Sequence, residues 1–245
     1  MTQSGFAGGR LRLEQGVGGH RAGADAALLA AAAPRSLTGL LLDAGAGAGA
    51  VGLSAALCAP SAQIGLIEVE PRACALARKN IDANDLGRRA VVFEVDLLDG
   101  AARRAVGLAN ETAQCVLTNP PYLSPENCRI SPDARRALAH VRAAPLDAWV
   151  RAALALLAPG GLFAMIHRAD ALADCLTPLA GRLGDVTVLP VAPRAGENAT
   201  RILLKGVKGS RAPLKLCPPL VLHQTGGAFT PLADAIFRGE APAPF

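Results

Sequence analysis

Between residues 38 and 205 short apolar runs of β-type recur, and alanine-rich stretches of helical character fill most of the gaps between them. The runs "TGLLLD" (38–43), "AQIGLIE" (62–68), "AVVFEV" (90–95), "QCVLT" (114–118), "GLFAMIH" (161–167), "DVTVLPV" (185–191) and "ATRILLK" (199–205) read as strands. Helical stretches separate the first five. Such alternation predicts an α/β fold, here a Rossmann-like, doubly wound, seven-stranded and mostly parallel sheet. The last two strands follow each other without a helix, which predicts a hairpin and one antiparallel strand toward the sheet's edge. Pro71 stands where it would open a helix, because a missing N–H is harmless there, and "LAPGG" (157–161) where glycine would close one.

Length and composition narrow this picture. A chain of 245 residues suits one large α/β domain. We expect a single domain over 1–245, with an amino-terminal element (1–36), a core (37–206) and a carboxy-terminal extension (207–245). The apolar fraction of 51% comes largely from alanine, and stretches such as "AALLAAAA" (26–33) are too short to span a bilayer. The opening residues carry no export pattern, so the cytoplasm is the expected location. Six cysteines lie far apart without a CxxC pair, and four histidines stand alone, so neither a metal nor a disulfide is expected. The net charge of +5 is carried mainly by arginine, whose planar fork suits phosphate, and it admits a polyanionic partner.

Candidate chemistry sits at the strand ends. The first strand runs into "DAGAGAG", with Asp43 at the tip and Gly45, Gly47 and Gly49 behind it. Glycines there let a ligand lie against bare peptide groups at the carboxyl end of a strand, the usual site in open α/β sheets. No GK[ST] follows, which argues against a P-loop. Glu68 ends the second strand, where a carboxylate can accept hydrogen bonds from vicinal ribose hydroxyls. Glu70, before Pro71, reads as a helix-start acid. Asp96 ends the third strand, and three acids at three successive tips are hard to assign to turns alone.

With "LTNPPY" (117–122) at the fourth tip, this order resembles the class I S-adenosylmethionine-dependent methyltransferases, whose successive motifs match "LLDAGAGAG", "IGLIEVEPRACALARKN" and "VVFEVDLLD". The resemblance implies that Asp43 and the backbone of Ala44, Gly45, Ala46 and Gly47 hold the methionine part of the cofactor. Glu68 with Val69 would serve the ribose side, and Asp96 with Leu97 the adenine ring. In that family the Asn119 side-chain oxygen and the carbonyl of Pro120 would accept the two N–H bonds of a target amine, aiming its delocalised lone pair at the methyl group. Pro120 and Pro121 fix φ and so preorganise these acceptors. Tyr122 would stack on the target ring.

The segment "LEQGVGGHRAGADAALLAAAAP" is similar to the amino-terminal element of the bacterial tRNA1(Val) adenine-N6 methyltransferase family, on Gln15, Gly23, Asp25, Leu28 and Leu29. That similarity implies that Gly23 and Asp25 help cover the cofactor, although Ala24 stands where a threonine is frequent. Asp25 reads equally well as a helix N-cap. The tail, with "PPLVLH" and a final helix, resembles the same family's closing region. Arg201, Lys205, Lys208, Arg211 and Lys215 form an acid-free cluster suited to RNA phosphates, and Arg129, Arg135, Arg136 and Arg142 form a second after "NPPY". Trp149 reads as core beneath its helix.

The expected function is methyl transfer from S-adenosylmethionine to adenine N6 in tRNA, at an anticodon-loop adenine. Alternatives are a release-factor glutamine N5 methyltransferase, an rRNA guanine-N2 methyltransferase and a noncatalytic RNA- or nucleotide-binding module.

Overall fold

Neighbouring residues of the central strands point to opposite faces, and both faces are greasy. Leu41, Ile64, Leu66, Cys115, Leu117, Ala164, Ile166 and Leu203 enter one buried cluster, while Leu42, Ile67, Val116, Phe163, Met165, Ile202 and Leu204 enter the other. A strand buried on both sides must be covered by helices on both sides, which is the doubly wound arrangement. The structure is a computed structural model, and it describes residues 2–15, 23–121 and 145–245.

In chain order the elements are a hairpin of β1 (Thr2–Phe6) and β2 (Leu11–Gln15), α1 (Ala24–Ala30), β3 (Gly39–Ala44), α2 (Ala50–Cys58), β4 (Ala62–Glu68), α3 (Pro71–Ala83) and β5 (Ala90–Glu94). There follow α4 (Gly100–Ala105), β6 (Ala113–Thr118), α5 (Leu146–Leu156), β7 (Leu157–Arg168), α6 (Leu172–Leu176), β8 (Leu183–Arg194), β9 (Arg201–Lys208), β10 (Lys215–Leu216), β11 (Leu220–His223) and α7 (Pro231–Phe237). The main sheet runs β10-β8-β9-β7-β6-β3-β4-β5, and β11 also pairs with β8. Strands β3 to β7 pair in parallel, whereas β9 is antiparallel to both β7 and β8.

All seven expected strands are present, and so is the terminal hairpin, as β8 and β9. Three features differ from the sequence reading. The sheet has nine strands, because the two short segments β10 and β11 align in parallel along successive parts of β8. A second sheet, β1-β2, stands apart from the main one. "LAPGG" does not lie between α5 and a strand: α5 stops at Leu156 and β7 begins at once. The glycine is used for a bulge instead, since Ala113 pairs with Leu157 but Cys115 with Leu162, and Gly160 takes a φ of 75°.

Helix α3 begins as expected, with Pro71 in its first turn and Glu70 as N-cap accepting from Arg72 N and Ala73 N. Its inner face carries the device that fixes the hairpin. Asn80 and Asn84, one turn apart, present their amides to the open edge of β2, where Asn80 bonds both N and O of Glu14 and Asn84 both N and O of Arg12. Two side chains thus do what a neighbouring strand would, and Lys79 adds an ion pair to Glu14 at 2.6 Å. A candidate edge for mispairing is closed in this way.

Candidate active site

The strand order reverses between β3 and β6, which makes the crevice beyond their carboxyl ends the topological switch point. Both tips carry candidate residues. The pair ends at Ala44 and Thr118, one residue past Asp43 and one before Asn119.

The glycine loop leaves β3 sharply. Gly45, Gly47 and Gly49 all adopt positive φ, of 79°, 55° and 88°, a region that side chains with a Cβ rarely enter. Their surroundings differ. A Cβ on Gly45 would sit 2.7 Å from Trp149 Cζ2 and one on Gly49 3.0 Å from Leu66 Cδ1, but one on Gly47 would meet nothing within 4 Å. Gly45 and Gly49 are therefore required by packing, and Gly47 offers bare backbone to open space.

The loop is pinned from below. Gly45 N and Ala46 N both donate to Ile67 O at 2.9 Å, and Asn80 Nδ2 donates to Ala48 O at 2.9 Å. Asn80 is wholly buried and so ties α3, the hairpin and the glycine loop together. Nothing in the local spacing of "ARKN" pointed to this role.

The three acids have different surroundings. Asp43 is 1% exposed, and its Oδ2 accepts from Gly52 N at 2.8 Å, in the first turn of α2. Burial, countered in part by that bond and aided by the nearby Glu68 charge, pushes its pKa up to about 7. Glu68, half-buried at the tip of β4, accepts from Gly47 N at 2.8 Å through Oε2 and from Val69 N and Glu70 N at 2.9 Å through Oε1. Its carboxylate spans the loop and the strand end. Asp96 is exposed and forms a turn with Leu98 N at 2.9 Å. Beside these acids Val69 is 44% exposed, an apolar surface at the rim of the crevice, while the Leu97 side chain is buried in the core.

Methyltransfer from S-adenosylmethionine needs room for a methionine tail, a ribose and an adenine along this row. The residues present fit, with the open space where Gly47 lacks a Cβ, the carboxylates of Asp43 and Glu68, and the uncovered side chain of Val69.

At the fourth tip Asn119 is half-buried, Pro120 buried and Pro121 exposed. Thr118, just before them, donates through Oγ1 to Ala44 O at 2.8 Å, and Trp149 Nε1 donates to the same hydroxyl oxygen at 2.8 Å. Trp149 is thus more than core filling, because its ring also lies against Gly45. Tyr122, Arg129, Arg135, Arg136 and Arg142 fall outside the described residues.

The amino-terminal candidate Asp25 meets one of the carboxy-terminal candidates, and the others lie elsewhere. Asp25 does not cap α1, whose N-cap is Gly23; it sits in the first turn and pairs with Arg201 Nε at 3.0 Å. Arg201 and Arg168 are register partners at the carboxyl end of β7, on the same edge of the sheet as Asn119. They flank a shallow hollow with Ala169, Asp170, Ala199 and Thr200. The remaining basic residues lead away from this edge. Lys205 lies over the Phe245 ring at 4.3 Å, and burial lowers its pKa. Lys208 stands at the opposite end of β9, where Nζ donates to Leu154 O, Leu157 O and Glu111. Lys215 pairs with Asp185, and Arg211 is exposed beyond Lys208. The cluster read from the sequence therefore runs along the sheet and does not gather at one face.

The family model of the methyltransferase small domain matches residues 14–189, a span that holds the glycine loop, all three acids and Asn119. The chain belongs to that family. It is an S-adenosylmethionine-dependent methyltransferase. A tRNA1(Val) (adenine(37)-N6)-methyltransferase of Porphyromonas gingivalis is 32% identical over 181 residues, 69% of each chain. A release factor glutamine methyltransferase of Chlorobaculum tepidum is 30% identical over 156 residues, 61% of this chain and 52% of that one. Among solved structures, an Agrobacterium tumefaciens protein described as a predicted O-methyltransferase superposes with a TM-score of 0.76 at 31% identity, covering 89% of this chain and 97% of that one. The matched span holds β3 to β7, whose carboxyl ends bring the matched motifs to one edge of the sheet. Among the described residues no group of His, Cys, Asp or Glu could hold a metal, and no helix is long and apolar enough to cross a membrane.

Proposed function

We propose that this methyltransferase modifies the exocyclic N6 of an adenine in structured RNA, a tRNA anticodon loop being the best-supported target, and that it works in the cytoplasm. The observation that carries the reading is Asn119-Pro120-Pro121 at the tip of β6, across the switch point from the glycine loop. An aromatic amine has a delocalised lone pair and two N–H bonds. The Asn119 amide oxygen and the Pro120 carbonyl accept those two bonds, which draws the nitrogen toward pyramidal geometry and turns its lone pair toward the crevice. The prolines hold φ fixed, so the acceptors need no reorganisation at the moment of reaction.

When bound, S-adenosylmethionine supplies an electrophilic methyl group. The chain's own residues hold it. The backbone at Gly47 and the Asp43 carboxylate take the amino-acid end, Glu68 the ribose hydroxyls, and Val69 with the backbone at Asp96 and Leu97 the adenine. Gly23, which caps α1, and Asp25 border the same edge. Tyr122 would stack on the target base, and Arg129, Arg135 and Arg136 would meet the RNA backbone.

A hydroxyl acceptor, as an O-methyltransferase would use, carries one proton that a base must remove, and an amide oxygen and a peptide carbonyl are not bases. Relatives that modify a glutamine amide share the same acceptor pair, so the choice between RNA and protein rests on the longer and stronger match to the tRNA enzymes. The test is to supply labelled S-adenosylmethionine with tRNA, rRNA, DNA or release factor in separate reactions and to identify the product. The expected product is N6-methyladenosine in tRNA. Methylglutamine in release factor or N2-methylguanosine in rRNA, with none in tRNA, would overturn the assignment.

A further inference from the structure

Trp149 is the single tryptophan of the chain, and it stands in the first turn of α5. Its indole N–H is a donor only, so it must be given a lone pair. Thr118 Oγ1 supplies that lone pair at 2.8 Å and donates its own O–H to Ala44 O, also at 2.8 Å. The direction of this chain of bonds is dictated by chemistry: indole to hydroxyl, hydroxyl to carbonyl. The edge of the same ring fills the space where Gly45 has no Cβ. One side chain thereby touches both sides of the switch point, the turn into the glycine loop and the residue before Asn119.

Core filling does not require this arrangement. Trp149 is only half-buried, and Ala44 and Thr118 are already held in register by β3–β6 pairing. A phenylalanine would cover much the same apolar surface without the N–H.

We infer that Trp149 and Thr118 are positioning residues that fix the distance and angle between the cofactor loop and the amine acceptors. This rests on the reading of Asn119 given above. A displacement of 1 Å at a reacting centre costs about a hundredfold in rate. Strand pairing sets the register between Ala44 and Thr118, and the bonds from Trp149 and Thr118 set the directions in which the glycine loop and the acceptors leave those two residues.

The test uses Trp149→Phe, Thr118→Val, Thr118→Ser and the Trp149→Phe/Thr118→Val pair, with bulk tRNA and S-adenosylmethionine. Trp149→Phe and Thr118→Val should each lower kcat by at least about tenfold while the KM for S-adenosylmethionine changes less than about threefold. Thr118→Ser, which keeps the hydroxyl, should restore most of the turnover. The double variant should be no slower than the worse single one, since both break one relay. Trp149 also reports on itself. Its fluorescence should change when S-adenosylhomocysteine is added, and Thr118→Val should shift the emission of the free protein where Thr118→Ser does not.

Variants that melt earlier yet turn over at the wild-type rate below their melting temperature would overturn the positioning role. So would an emission spectrum indifferent to Thr118→Val. Asn119→Ala, measured alongside, separates the two failures. If it is inactive while Thr118→Val is fully active, the relay alone is wrong; if it turns over normally, the reading of Asn119 falls and the positioning role with it.

Discussion

The two sides of the switch point are built differently. On the cofactor side, at the tips of β3 and β4, polar side chains are fastened to backbone: Asp43 to Gly52, Glu68 to Gly47, Val69 and Glu70, and Asn80 to Ala48. On the side proposed to meet the substrate, where β7 ends and β9 begins, charged side chains pair with one another, Arg201 with Asp25 and Arg168 with Asp170. Backbone anchoring preorganises a site for one ligand that never changes. Ion pairs near solvent contribute little individually and can exchange partners, which suits a surface proposed to receive a polyanion. Asn119 stands between the two sides, and it is the residue whose loss should matter most.

On the proposed reading, replacing Asn119 by alanine removes an acceptor that acts on the target nitrogen during transfer. Turnover should fall by a hundredfold or more, equivalent to about 3 kcal/mol, while the affinity for S-adenosylmethionine stays close to that of the wild type. Steady-state kinetics with calorimetry on the same variant checks both halves. Wild-type turnover would mean that the tetrapeptide is only a turn.

The cofactor side should betray itself through pH. Asp43 has its pKa raised from 3.8 to about 7, so the folded protein binds this proton more tightly than the unfolded chain does. The stability this contributes is fully present below about pH 4 and is lost as the pH rises through about 7. Cofactor binding runs the other way. On the proposed reading the cationic amino group meets ionised Asp43, so affinity should climb by up to about tenfold per unit as pH rises toward 7 and then level off. Asp43→Asn should flatten the profile. Calorimetric titration with S-adenosylhomocysteine between pH 5.5 and 8.5 decides it, and an unaltered profile in the variant would detach Asp43 from the ligand.

The same contrast explains what could be read from the sequence. The strands, the glycine loop and the strand-tip acids are local patterns, and they were legible because alternation and glycine spacing act over a few residues. The helix start at Glu70 and Pro71 was legible for the same reason, though not the side-chain cap that Glu70 provides. The contacts that join distant segments were not. Asp25 resembles an N-cap in its own neighbourhood, and only the fold brings it to Arg201. Asn80 looks like one polar residue in an amphipathic helix, and Trp149 like core. Strands β10 and β11 are too short to carry a period, so nothing but their pairing with β8 defines them. The acid-free basic cluster misled for a related reason: a strand of eight residues carries its ends more than 20 Å apart, so charges adjacent in sequence need not meet one ligand.

That geometry makes the smallest effect the most discriminating one. Arg201 lies on the edge shared with Asn119, whereas Lys208 lies at the far end of the same strand and is consumed by Leu154 O, Leu157 O and Glu111. If RNA approaches the crevice, Arg201→Gln should flatten the slope of log affinity against log salt by about one unit, because one phosphate contact and its released counterions are lost. Lys208→Met should leave that slope unchanged. It should instead lower the melting temperature, since two carbonyls lose a charged donor worth roughly 1 to 3 kcal/mol. Losing Arg201 also takes away the guanidinium that pairs with Asp25, whose negative charge then repels phosphate more strongly without any contact being broken. The Asp25→Asn/Arg201→Gln pair removes that complication, and its slope should match that of Arg201→Gln alone. Binding of bulk tRNA followed from 50 to 300 mM salt checks all three. Equal slopes for Arg201→Gln and the wild type would move the RNA path off this edge and onto the arginines that follow Tyr122.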